Sequence, residues 1–133
     1  MKNLTLAILL LAIVLTGCKK EKALPTSVVG TWELRDVLGT QVAGAPSTFK
    51  VGNGNIIAFT DTEYQRINDG NVTGKGTYKI VDASAEIDGN TFNKAILYDN
   101  QGRKWYFKIS GSKLLISPGS MASDGFTMTY QGL

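Results

Sequence analysis

Hydrophobic positions along this chain fall into three regimes. Leu4 to Leu15 is apolar except for Thr5 and follows the positive start Met1-Lys2-Asn3. Lys19 to Thr26 is polar at first, closes on Pro25-Thr26, and has no period of either kind. From Val28 onward no amphipathic helical stretch appears, and period-two alternation recurs between turn signals. Within Val28 to Leu38, the set Val28, Gly30, Trp32, Leu34 and Leu38 is expected to face one way, with Thr31, Glu33 and Arg35 in water. Trp105, Phe107 and Ile109 alternate with Lys104, Tyr106 and Lys108, and Phe126, Met128 and Tyr130 alternate with Thr127, Thr129 and Gln131. Such strands bury one face and wet the other, as antiparallel sheets do.

Further strands are expected at Asn55 to Thr60, Thr62 to Asn68, Asn71 to Val81, Ala85 to Asp88, Thr91 to Tyr98 and Lys113 to Ser117. Asp69-Gly70, Asp88-Gly89-Asn90, Asp99-Asn100-Gln101-Gly102 and Ser110-Gly111-Ser112 separate them. These residue types tolerate positive φ and make tight hairpins. A meander of eight or nine short strands removes its exposed edges most simply by closing, so the expected fold is all-β, an antiparallel up-and-down barrel of about eight strands. A two-sheet β-sandwich is the alternative, since the same alternation serves it.

The apolar run is shorter than the roughly 20 residues that span a bilayer. It ends in Leu15-Thr16-Gly17-Cys18, and the segment resembles a bacterial lipoprotein signal peptide with its lipobox. The resemblance implies cleavage of residues 1–17 and lipidation of Cys18, with residues 18–26 as the lipidated Cys and tether and 27–133 as the folded domain. Two or three acyl chains, at about 0.8 kcal/mol per buried methylene, then fix the protein to the cell envelope, the outer membrane being the expected address. Export to the outer surface is marked in some bacteria by acidic residues after the Cys. Here Lys19, Lys20 and Lys22 stand instead, so the periplasmic or surface face stays open.

Gly30-Thr31-Trp32-Glu33-Leu34, Ile56-Ile57-Ala58-Phe59-Thr60 with Thr62-Glu63-Tyr64, and Gly76-Thr77-Tyr78-Lys79-Ile80 resemble the small lipocalin-like domains of bacterial lipoproteins. Gly30 and Trp32 correspond to the Gly-x-Trp of the first lipocalin strand, which makes Trp32 a packing residue of the barrel floor. The resemblance implies a barrel and a small apolar or amphiphilic ligand. The chain lacks the helix that usually follows the barrel in full-length lipocalins.

Composition narrows the chemistry. The chain has no His and one Cys, which excludes an internal disulfide, a His-activated nucleophile and a Cys/His zinc cluster. Its formal charge is +3, but residues 23–133 hold ten basic and ten acidic side chains. A neutral domain without clustered Lys and Arg is not a nucleic-acid reader. Asp82, Glu86 and Asp88 lie in one stretch of chain, whereas carboxylate catalysis needs two groups facing across a cleft. Asp99-Asn100-Gln101-Gly102 lacks the spaced ligands of a calcium loop, and neither Gly52-Asn53-Gly54 nor Gly74-Lys75-Gly76 opens a phosphate-binding helix. The expectation is a protein without catalysis, cofactor or metal.

By parity, Leu34, Phe59, Phe92 and Ile96 line the interior. The candidate ligand-binding residues are Tyr64, Tyr78, Tyr98, Trp105, Phe107, Met128 and Tyr130, together with two charges. Arg66 shares parity with Tyr64, and Lys94 with Phe92, Ile96 and Tyr98. A buried cation is rare unless paired, so each would meet an anionic ligand group, an inward acid such as Asp36, or solvent through a bulge. Two functions follow. One is a lipid-anchored protein carrying a small amphiphilic or hydrophobic ligand in its barrel. The other is an interaction or inhibitor module of an envelope complex, with a filled barrel. A continuous cavity of about 300 Å³ or more separates the first from the second.

Overall fold

The computed structural model describes residues 27–133; the expected signal peptide at 1–17 and the expected lipidated Cys18 and tether at 18–26 lie outside the described residues. Eight strands follow one another: β1 (Gly30–Leu38), β2 (Asn55–Phe59), β3 (Glu63–Asn68), β4 (Asn71–Ile87), β5 (Asn90–Tyr98), β6 (Trp105–Ser110), β7 (Lys113–Ser117) and β8 (Thr127–Gly132). Each pairs antiparallel with the next, and β8 returns to β1 through pairs such as Leu34↔Tyr130, which closes the barrel. This is the up-and-down barrel expected from the alternation, and the sandwich alternative falls away.

The expected turns do their work. Asp69, Asp88, Asp99 and Asn100 all take positive φ, as do Gly70 and Gly89 beside them. The strands expected at Asn71 to Val81 and Ala85 to Asp88 prove to be one, β4. The residues at Asp82-Ala83-Ser84 are absorbed by a register shift between Asp82 and Ala85 opposite β5, and the strand runs on.

One end of the barrel, here called the lower end, carries the start of β1, the turns at 60–62, 88–89 and 111–112, and the C-terminus. Trp32 closes it. Its side chain is fully buried, its indole N–H donates to the Val28 carbonyl at 2.7 Å, and Gly132 lies against its ring. Leu114 and Ile116 pack into the same core as Trp32. The upper end carries the 39–54 loop, the 69–70 turn, and the loops 99–104 and 118–126.

Two departures from strict alternation arise on β1. A register shift between Leu34 and Asp36 turns the strand, so Leu38, expected inside, is exposed. Glu33, expected in water, is only 3% exposed. The 50–54 loop folds over it: Gly52 and Gly54 donate backbone N–H groups to its carboxylate at 3.1 and 3.4 Å, and Arg35 pairs with it. The Gly52 hydrogen bond foremost, then Arg35, holds the Glu33 carboxyl below its usual range. Asn53 adds hydrogen bonds to the carbonyls of Leu34 and Lys50 at 2.8 and 2.6 Å.

Candidate functional site

β3 and β5 bring the aromatic residues to one place. Tyr64 and Tyr98 meet edge to face with ring centres 4.6 Å apart, and Tyr98 also touches Phe59 and Trp105. Tyr78 sets its edge on Phe59 and donates its hydroxyl to the Thr60 carbonyl at 2.6 Å. Phe107 is buried in the core, and Trp105 and Met128 pack against it half-buried. At this level the barrel is filled by its own rings. Such contacts are worth about 0.5–1.5 kcal/mol per pair beyond area burial.

Above the rings sits Arg66. The residue is exposed, and its guanidinium lies 5.0 Å from the centre of the Tyr64 ring and 5.1 Å from that of Tyr98. Neither ion pair among the described residues involves it; those pairs are Arg35–Glu33 and Lys94–Asp82. Asp36, the inward acid weighed as its partner, is an exposed residue outside both pairs. Arg66 and Tyr130 border a cleft of about 190 Å³ with Leu34, Ile56, Ile57 and Thr73. A cleft of about 490 Å³ at the lower end is bordered by Thr31, Ala58, Phe59 and Tyr64, and one of about 370 Å³ at the upper end by Val37, Val42 and Phe126.

Burial pushes the hydroxyls of Tyr64, Tyr98 and Tyr130 up, Tyr130 to about 12. The positive charge of Arg66 opposes the rise at all three. All three phenols are therefore neutral donors at ordinary pH. Tyr64 donates to Asp99 at 2.8 Å, and the other Asp99 oxygen accepts the Thr77 N–H at 2.9 Å. A Cβ on Gly76 would stand 1.9 Å from that carboxylate, so Gly76 is what lets the 99–104 loop seat here.

Two candidates are corrected. Lys94 does not point into the barrel: its ammonium meets Asp82 at 3.0 Å with the two side chains 55% and 91% exposed. The shift at Asp82/Ala85 turns the ribbon, and β3 pairs with β4 only as far as Thr77, leaving this stretch open to water. Phe92 is fully buried but outside the barrel core; its ring lies by Tyr106 and beneath the Lys108 amine. Asp99 and Arg103 join the site from the 99–104 loop, where turn residues give no sign of it in the sequence. Arg103 stacks on the ring of Trp105, two residues along the chain, at 5.3 Å.

Among the described residues, no cluster of His, Cys, Asp or Glu could hold a metal ion, and no helix is long and apolar enough to cross a membrane. Comparison of the chain with protein-family models, curated proteins and solved structures returns no match.

Proposed function

We propose that this chain is a lipid-anchored envelope protein that acts by binding, and that the upper end of its barrel takes the polar head of a small amphiphilic molecule. Arg66 carries the reading: a cation without a carboxylate partner, held over two aromatic rings at the border of a cleft. Sites that enclose drug-sized ligands run from about 300 Å³ upward. A cleft of about 190 Å³ therefore receives part of a molecule and leaves the remainder outside. The described chain begins at the lower end, opposite this mouth. The barrel performs no catalysis in this reading.

Native mass spectrometry of the protein purified in mild detergent from its own host tests the reading. A small-molecule adduct that Arg66→Gln loses is the expected result. A second reading, an interaction module, is favoured by the filled interior and by Leu38, Val42 and Val51, which are 58%, 70% and 83% exposed at the upper end. A chemically blank protein that crosslinks to a partner through the 39–54 loop would establish that reading instead.

A further inference from the structure

Tyr130 and Arg66 are strong hydrogen-bond donors with weak partners. The buried Tyr130 hydroxyl donates to Met128 Sδ at 3.3 Å, and a thioether is a poor acceptor. Buried hydroxyls ordinarily find an oxygen or nitrogen. The neighbouring tyrosines do: Tyr64 reaches the Asp99 carboxylate and Tyr78 the Thr60 carbonyl. Other polar groups around the cleft are committed to one another. Asn68 donates to Asn55 at 2.8 Å, and the Thr73 hydroxyl donates to the Arg66 carbonyl at 3.3 Å. Arg66 spends its charge on tyrosine faces and hydroxyls.

We infer that Arg66 and Tyr130 together hold the carboxylate of a small molecule with a short apolar tail, the tail lying against Leu34, Ile56 and Ile57. The inference rests on the binding reading above and names the chemistry of its ligand. One guanidinium and one neutral phenol match a single negative charge. A dianion such as phosphate would bring a second charge to a site with no second cation in its lining. The planar fork of Arg66 suits a carboxylate's two oxygens, and rotating the Tyr130 hydroxyl from Met128 gives it an oxygen acceptor. With each water occupying about 30 Å³ of liquid, the cleft has room for a carboxylate and a few carbons.

The test is calorimetric titration of the full chain in detergent micelles with pentanoate, pentanamide and inorganic phosphate. Expected are saturable pentanoate binding, a loss of about tenfold or more in Arg66→Gln, and a smaller loss in Tyr130→Phe, since Arg66 supplies the charge and Tyr130 one neutral hydrogen bond. Circular dichroism checks that the variants fold. If Arg66→Gln does not, Arg66→Lys retains the charge without the fork and should bind more weakly than the parent chain. The inference is overturned if pentanoate does not bind, if it binds the parent and both variants alike, or if pentanamide or phosphate matches it. A neutral amphiphile retained in native mass spectrometry alongside indifference to pentanoate sinks the carboxylate and spares the mouth. Blank spectra with the same indifference remove both.

Discussion

The two ends of this barrel are built from the same alternation and finished differently. At the lower end Trp32 is buried, its one polar atom is bonded to the Val28 carbonyl, and Gly132 lies against its ring. At the upper end Arg66 lacks a carboxylate, and the Tyr130 hydroxyl rests on a thioether. A saturated end contributes stability; an end with donors left over is free to bind. The contrast separates packing residues from binding residues more sharply than burial does, because Trp32 and Tyr130 are both buried.

The largest way to break the contrast is at the floor. Trp32→Ala should cost about 3–5 kcal/mol in chemical denaturation, the range for emptying a buried indole site. Tyr130→Phe should leave the denaturation midpoint almost unmoved, since the only bond it loses is to sulfur. Next comes Gly76→Ala. The added methyl meets the Asp99 carboxylate and must displace the 99–104 loop, at about 1–3 kcal/mol. Loss of the Tyr64–Asp99 hydrogen bond, read from tyrosine fluorescence, would accompany it.

Glu33→Ala acts on the loop that overlies β1 and should raise hydrogen exchange at the Gly52 and Gly54 amides. Its carboxyl is depressed in the folded state from an ordinary 4.5, so its contribution is present above that pH and fades as acid protonates it below. The acid limb of the parent chain should therefore be steeper than that of Glu33→Ala.

The upper tyrosines have the opposite sign. Tyr98 and Tyr130 are raised above the ordinary 10.0, so the stability they contribute is full below pH 10 and declines as pH climbs toward about 12, where Tyr130 ionises. A spectroscopic titration showing all five tyrosines ionising together near pH 10 would contradict the packing described. The smallest effect belongs to Lys94→Ala. Its pair with Asp82 is exposed, and such pairs contribute about 0–1 kcal/mol.

Much of this was legible in the chain. Period-two alternation and the Asp/Asn-Gly turns set the strands and their order, because a side chain's face and a residue's tolerance of positive φ are local properties. Trp32 was legible as floor, and Arg66 as the charge that breaks the pattern. Lys94 was misread because parity holds only until a bulge intervenes, and the break in alternation at 82–84 does not show locally whether the chain turns or bulges there. Glu33 was misread because its cover arrives from the 50–54 loop, and Leu38 because β1 shifts register beyond Leu34.

The sequence by itself determined an all-β chain, a neutral domain and a candidate lipid anchor at Cys18, since all three depend on residue type and spacing alone. Only the tertiary structure decided which charges share a cleft with which hydroxyls. Arg66 and Tyr130 lie on β3 and β8 and meet only through closure of the barrel, and pairings that distant are set by registers summed around the whole ring.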